Sequence, residues 1–217
     1  MGRYDDVNDD LRRVFECWGR RGTDYFARAQ DEYEEAVMPL VCYSDVADPF
    51  EVEQMNLSFT EWFLFEFDLG NGMTPVERFV ADFASTEPEE RVRRLRQVAQ
   101  THRFSRFAIR DKDTVSGKML LRDLRDGRER VVRAPVACRK STWNEGTLSM
   151  RIARVEGEWL HVGLTMLYDR APVPLGSCGH EAPTALLRGR HESYFLSFLH
   201  DVMGLGGAYS GTMRLAV

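Results

Sequence analysis

The segment from Phe59 to Phe79 constrains the fold of this 217-residue chain more than any other part of the sequence. Its first nine positions hold five aromatic residues: Phe59, Trp62, Phe63, Phe65 and Phe67. Large apolar rings gain free energy when they leave water, so a run this dense predicts a core element rather than an exposed stacking platform. Pro49 suits the first turn of a helix, and we predict that this helix carries the aromatic run into the core.

A glycine turn and a helix-start signal follow the aromatic run. Gly70-Asn71-Gly72 permits the positive φ that a tight reversal needs. Thr74-Pro75-Val76-Glu77 then has the pattern of a capping box, in which the side chains of Thr74 and Glu77 each accept from the other's amide. We therefore predict a helix–turn–helix corner with these structural residues: Trp62, Phe65, Gly70, Gly72, Thr74, Pro75 and Glu77.

Three carboxylates in this segment raise an alternative. Glu61, Glu66 and Asp68 have the side chains of a general acid and base. However, Glu61 and Glu66 are five positions apart and do not stack well on one helix face. No second catalytic motif accompanies them, so the segment indicates architecture, with Asp68 ordering the glycine turn.

Hydrophobic periodicity divides the chain into three parts. Helical spacing dominates up to about residue 101, and short extended runs follow at 104–109, 119–124, 131–136, 148–155 and 159–167. In the fourth run, Arg151 and Arg154 alternate with apolar residues, which is typical of a half-buried strand. The predicted fold class is α+β: a helical N-terminal region (1–101), a small antiparallel β-barrel-like domain (102–170), and a linker with a C-terminal helix that begins at Pro183 and packs back (171–217).

Charge is distributed unevenly along the chain. Residues 1–90 hold 7 Arg and 22 Asp/Glu, a net charge of −15, whereas residues 91–140 hold 16 Arg/Lys and 5 Asp/Glu, a net charge of +11. Such asymmetry predicts either two surfaces of the protein that face each other or a basic face that meets a polyanion.

The basic segment supplies the candidate binding residues, which are Arg122, Arg125, Arg128, Arg130 and Arg133. A small barrel with basic strands and exposed aromatic rings can bind single-stranded nucleic acid. The overall net charge of −5 argues against strong nonspecific binding to phosphates. We favour the interpretation that these arginines pair with the acidic helices of residues 1–90 or are simply solvated.

The only candidate for thiol or metal chemistry is Cys178-Gly179-His180. His191 and His200 follow it at a spacing that fits no metal site, and a Cys–His pair needs a third, orienting group. We therefore expect no catalytic residue, no metal and no cofactor. Four dispersed cysteines, an N-terminus without a signal-like apolar stretch and no apolar run of about 18 residues predict a cytoplasmic protein that does not enter the membrane.

Several motifs resemble a bacterial family. The run Glu61–Asp68 and the later Gly72–Phe79 follow the pattern E/D-W-x-x-F-D/E-Y/F, glycine turn, T-P-x-x-x-F of uncharacterised bacterial proteins. Some of these proteins carry a zinc-binding SEC-C tail like that of the preprotein translocase ATPase. Met119–Gly127 and Gly146–Ile152 extend the resemblance over about residues 55 to 170. The closely spaced Cys/His ligands of that tail are missing after residue 170, so the resemblance implies no zinc site.

Together these observations favour a non-enzymatic binding or adaptor protein with a protein partner. Architectural motifs are abundant, whereas the sequence shows no signature of a nucleophile, a metal or a phosphate loop. Two alternatives remain open: a nucleic-acid-binding module that uses the basic segment 91–140, and a hydrolytic enzyme that uses Cys178 and His180.

Overall fold

The computed structural model describes residues 3–21, 23–171 and 193–209, which form an α+β fold. The helices in these ranges are α1 Arg3–Arg21, α2 Thr23–Val37, α3 Pro49–Phe65, α4 Pro75–Phe83, α5 Glu89–Thr101, α6 Pro135–Arg139 and α7 Tyr194–Met203. The strands are β1 Arg103–Asp113, β2 Lys118–Asp123, β3 Glu129–Arg133, β4 Thr147–Val155 and β5 Glu158–Asp169.

Helix α3 begins at Pro49, as the sequence predicts. Asp48 caps it by accepting a hydrogen bond from the Phe50 amide at 2.9 Å, and Pro49 occupies the first turn, where its missing N–H costs nothing. The helix ends at Phe65, before the aromatic run is complete, and Glu66 leaves it with a φ of −136°. Because its backbone is not helical, Glu66 does not direct its side chain as the next residue of the helix would.

The aromatic residues of α3 form the centre of the helical core. Trp62 is 3% exposed and packs on Tyr33, Phe59 and Phe67, with ring centroids 5.4–6.2 Å apart. Tilted and edge-to-face contacts of this kind add to the free energy gained from burying the rings. The aromatic run is therefore mainly a packing element of the fold.

Asp68 orders the glycine turn after α3. Its Oδ1 accepts from the amides of Gly70, Asn71 and Gly72 at 2.8–3.1 Å, and the two glycines have φ values of +97° and +75°. The hydrogen bond from Gly70, with those from Gly72 and Asn71, lowers the pKa of Asp68 below its ordinary value. The turn thus depends on this carboxylate as well as on glycine.

The capping box at the start of α4 is present. The Glu77 amide donates to Thr74 Oγ1 at 3.4 Å, and the Thr74 amide donates to Glu77 Oε2 at 2.8 Å. We expect Thr74→Ala to lower the free energy of unfolding by about 1 kcal/mol, measured by urea titration. Thr74→Ser keeps the hydroxyl and should lose much less; an equal loss in both variants would refute the role of the cap.

The five strands close into a ring, and each strand pairs with two neighbours. The order is β1-β2-β3-β5-β4, with β4 paired again to β1. Four pairings are antiparallel, whereas β3 and β5 run parallel through Val132↔Trp159 and Arg133↔Leu160. The parallel pairing of β3 with β5 differs from the prediction that all pairings are antiparallel. A closed ring with an odd number of strands cannot alternate direction at every pairing.

The barrel has five strands, the number found in the OB-fold, a Greek-key barrel. Helix α6 connects β3 to β4. The predicted strand over 131–136 is too long, since Pro135 begins α6 instead: proline has no amide for a sheet ladder but suits the first turn of a helix.

Two apolar cores lie on opposite sides of the barrel wall. The inner core fills the barrel and includes Phe107, Met119, Leu121, Val132 and Met150. The outer core lies between the barrel and the helices, where α3 packs on β5, α5 packs on β4 and α7 packs on β1. The C-terminal helix therefore packs back as predicted, although its predicted start at Pro183 lies outside the described residues.

Candidate functional site

A groove with a volume of about 730 Å³ runs along the surface where α1, α3 and β5 meet, and we name it the α1–α3 groove. Its α1 wall and its α3 wall are each built from residues at helical spacing of three and four, so each wall is one face of a helix. The lining residues are Asn8, Leu11, Arg12, Phe15, Pro49, Val52, Glu53, Asn56, Leu57, Thr60, Leu64, Phe65, Val162 and Leu164.

The groove leaves apolar side chains open to solvent. Phe15 on α1 and Leu164 on β5 are each 38% exposed, and Val52 and Leu57 on α3 are half-buried. The lining combines apolar with polar side chains, and the volume of the groove falls within the range of ligand-binding clefts. The groove can therefore receive apolar side chains of another molecule.

A buried ion-pair cluster adjoins the groove. Arg151 of β4 is 1% exposed; its Nε donates to Glu61 at 2.9 Å and its Nη2 donates to Glu66 at 2.5 Å. Phe65, which lines the groove, lies over the guanidinium with 4.8 Å between its ring centroid and Cζ. Burial disfavours the charged guanidinium, but Glu66 and Glu61 outweigh this effect and raise the pKa of Arg151. The cluster joins α3 to the barrel.

Both oxygens of Glu61 are engaged. Oε1 accepts from Arg151, and Oε2 accepts from the amides of Leu164 and Thr165 at 2.7 and 2.9 Å and from the Thr165 hydroxyl at 2.9 Å. Glu66 also accepts from Ser193, the residue that caps α7. Carboxylates that hold so many fixed donors are poorly suited to abstract a substrate proton. The arrangement supports a positioning role for both residues.

Gly163 makes room for the Glu61 carboxylate. A Cβ at this position would lie 2.8 Å from Glu61 Oε2 and 3.0 Å from the Arg151 Cβ, which is closer than real contacts allow. We expect Gly163→Ala to lower the free energy of unfolding by about 1–3 kcal/mol through overpacking, measured by urea titration. Gly19→Ala on α1, where an added Cβ meets nothing within 4 Å, is the matched control and should stabilise slightly. Equal effects at the two glycines would contradict the close approach.

Two buried histidines predict how stability depends on pH. Burial lowers the pKa of His102 to about 4, with a further contribution from Arg151, and burial lowers the pKa of His161 to about 4. Their unfolded forms take up protons near pH 6.5, so the stability present above that pH is lost progressively as pH falls toward 4. We expect the free energy of unfolding to fall by up to about 1.4 kcal/mol per pH unit for each histidine below pH 6. Urea titrations at pH 7, 6 and 5 measure this; a flat profile would contradict it.

The structure divides the five predicted binding arginines into two groups. Arg130 is buried; it pairs with Asp123 at 3.2 Å and Asp126 at 2.7 Å and lies over the Trp159 ring at 5.3 Å. The Arg130 hydrogen bond is the largest of the effects that hold the pKa of Asp126 well below its usual range. Arg125 lies over the Tyr194 ring at 4.4 Å and donates to a backbone carbonyl at 3.1 Å. Arg130 is thus engaged within the fold, whereas Arg125 is exposed and makes contacts to neighbouring residues of the protein.

The other three predicted arginines lie on or beside the outer face of β1, β2 and β3. Arg122 and Arg128 are exposed, and Arg133 is half-buried. The cross-strand rows of this face are mixed: Arg122 lies opposite Glu129, Leu120 opposite Val131, and Arg133 opposite Lys118, which pairs with Glu158 at 2.8 Å. No aromatic ring belongs to these rows in the part of the chain that the structure describes, so stacking surfaces for bases are missing there.

Arginines of α5 pair with acidic residues of the helical region, as the favoured interpretation of the charge asymmetry expects. Arg91 and Arg94 both contact Asp10 of α1, at 2.9 and 2.7 Å, and Arg91 also contacts Glu87 at 2.5 Å. Asp10 is 1% exposed, so the carboxylate that these two arginines share is buried. Part of the positive charge that the sequence places in the basic segment is thus paired with the helical region.

The remaining candidates give no site within the described ranges. Cys178 and His180 lie outside those ranges. Among residues 3–21, 23–171 and 193–209, no group of three or more His, Cys, Asp or Glu side chains is placed to hold a metal ion. No helix in the same ranges has the length and hydropathy needed to cross a membrane.

Known proteins provide no further guide to this site. No protein-family model, no curated protein and no solved structure matches the chain at a significant level. The features of the protein that bear on function are the geometry of the groove, the ion-pair cluster beside it and the outer face of the barrel.

Proposed function

We propose that this protein is a non-enzymatic binding or adaptor protein whose α1–α3 groove holds apolar side chains of a protein partner. The observation that carries the proposal is the exposure of Phe15 and Leu164 at 38% each within a groove of about 730 Å³. Burial of the apolar surface that these side chains still expose is favourable, so covering them favours association.

The ion-pair cluster supports this proposal because it fixes the groove before a partner arrives. Glu61 on α3 holds the amides of Leu164 and Thr165 on β5, so one wall of the groove is tied to a second lining element. A preformed site loses less conformational entropy on binding than a flexible one. The geometry thus suits recognition, with the polar residues acting as supports.

Titration with the neutral apolar dye Nile red tests whether the groove accepts apolar groups. We expect the dye to bind, and Phe15→Asp or Leu164→Asp to weaken binding at least tenfold. Val115→Asp is the matched control, since Val115 is 96% exposed in the β1–β2 turn, away from the groove. Circular dichroism and urea midpoints check that each variant folds. Equal dye binding by all variants would overturn the proposal.

A nucleic-acid-binding role for the barrel is the second candidate. It is supported by the five-stranded barrel, which has the strand number of the OB-fold, and by exposed Arg122 and Arg128 beside β2 and β3, the strands that bind ligand in such barrels. Against it, the turns after β1 and β4 are short, and the cross-strand rows of the face carry a glutamate and two apolar residues besides the basic ones and no aromatic ring.

Salt-dependent binding of a labelled oligonucleotide tests this second candidate. Arg122→Ala with Arg128→Ala should weaken binding and reduce its salt dependence, since both side chains are exposed. Arg130→Ala is unsuitable as a probe because it breaks the pairs with Asp123 and Asp126. Absence of binding at low salt would exclude the role.

We also propose that the protein is cytoplasmic and bacterial, and that it is related to the SEC-C-associated proteins whose motifs it resembles. Free thiols at Cys17, Cys42 and Cys138 are in accord with a reducing compartment. The Thr74-Pro75 part of the motif that carries the resemblance begins α4 with a capping box. Fractionation of cells that express the protein at native level tests its location.

A further inference from the structure

The shape of the α1–α3 groove suits a helix. Within its α3 wall, the stretch from Val52 to Leu64 is about 18 Å long at 1.5 Å per residue, which matches about three turns of a third helix. Both walls are themselves helix faces, so an added helix can pack its side-chain ridges between theirs.

An extended peptide fits the groove less well. A strand that adds to a sheet needs free amides and carbonyls along an open edge. In the groove, the amides of Leu164 and Thr165 on β5 already donate to Glu61 at 2.7 and 2.9 Å. Strand addition would have to break those bonds and leave the Glu61 carboxylate unpaired beside Arg151.

The charges around the groove favour a basic flank on the incoming helix. Helix α3 carries no Lys or Arg, and its Glu53 is exposed in the lining. On the opposite wall, Arg12 is paired with Asp9 at 3.0 Å, so its charge is offset. The groove is lined by both apolar and polar side chains. Such a mixture is typical of a protein–protein interface, whereas a tunnel for an acyl chain is lined by apolar side chains.

We propose that the occupant of the α1–α3 groove is an amphipathic helix of about three turns, with Lys or Arg residues beside its apolar stripe. This inference rests on the proposed function and names the chemistry of the partner. The apolar stripe covers Phe15, Leu57 and Leu164, and the basic flank lies along the α3 wall and meets Glu53.

Three labelled synthetic peptides test the inference by fluorescence anisotropy. The first has leucines at helical spacing flanked by lysines, the second has the same leucines flanked by glutamates, and the third is a scramble of the first. We expect the lysine-flanked peptide to bind several-fold more tightly than the glutamate-flanked one at low salt, the difference to shrink at high salt, and the scramble not to bind. Phe15→Asp and Leu164→Asp should abolish binding, and Val115→Asp should leave it unchanged.

Glu53→Lys gives the sharpest comparison, because Glu53 is exposed and its replacement leaves the fold intact. It should reverse the preference between the lysine-flanked and glutamate-flanked peptides. An unchanged preference, or equal binding of the scrambled peptide, would overturn the inference. Nile red binding in the groove without binding of any helical peptide would overturn the inference while the binding function stands. If Phe15→Asp and Leu164→Asp bind Nile red as tightly as the unsubstituted protein does, the binding function itself is overturned.

Discussion

Replacing Arg151 by methionine should lower the free energy of unfolding by about 3–5 kcal/mol, the cost of breaking a buried ion pair by removing one partner. The change leaves the fully buried carboxylate of Glu61 and the mostly buried carboxylate of Glu66 without their shared cation. Methionine retains much of the volume of the arginine side chain. The loss of unfolding free energy therefore comes more from the lost charge and hydrogen bonds than from a cavity. Urea titration monitored by circular dichroism gives the measurement.

Arg154→Met is the matched control for Arg151→Met. Arg154 lies on the same strand but is exposed, and its guanidinium makes only a long contact of 3.5 Å with a carbonyl. We expect a change below about 0.5 kcal/mol there. Adding Glu61→Gln to Arg151→Met should recover part of the loss, because it removes an unpaired buried charge. A small loss for Arg151→Met, equal to that of the control, would show that the cluster does not join α3 to the barrel.

Replacing Trp62 by alanine should lower the free energy of unfolding by about 3–5 kcal/mol, the range for truncating a buried large aromatic side chain. Trp62 is 3% exposed and touches the rings of Tyr33, Phe59 and Phe67. The surrounding rings are rigid and cannot fill the resulting cavity. Thermal or urea unfolding measures the loss.

Phe50→Ala on the first turn of the same helix is the control for Trp62→Ala. Phe50 is 39% exposed, so its truncation removes less buried surface and should cost clearly less than that of Trp62. Near-wild-type unfolding of the Trp62 variant would show that the aromatic run is not the centre of the helical core and would return it to consideration as a binding platform.

Local patterns in the sequence predict much of the fold because they depend on neighbouring residues. The capping box at Thr74 and Glu77, the glycine turn ordered by Asp68 and the succession of helices before strands are all of this kind. Strand alternation around Arg151 fails to predict its burial for a physical reason. Periodicity separates the two faces of a strand, but it does not show whether the outward face meets water or a layer of helices.

The groove could not be predicted for a similar reason. Phe15 shares a helical face with Leu11, Val14 and Trp18, and the pattern assigns all four to one apolar stripe. In the structure Val14 is fully buried while Phe15 remains 38% exposed, because the stripe is wider than the contact that α1 makes with its neighbours. Likewise, composition indicates a basic segment, but only the tertiary structure shows that Arg130 is already paired with Asp123 and Asp126.

Mapping of amide chemical-shift changes by NMR, during titration with the lysine-flanked peptide, tests the central claim most directly. The groove and the outer face of the barrel are distinct surfaces, so the map separates them. We predict that the changes cluster in residues 8–15, 52–65 and 162–164, which contain most of the groove lining. Changes confined to β2 and β3 around Arg122 and Arg133, or no changes at all, would contradict the claim that this protein binds its partner through the α1–α3 groove.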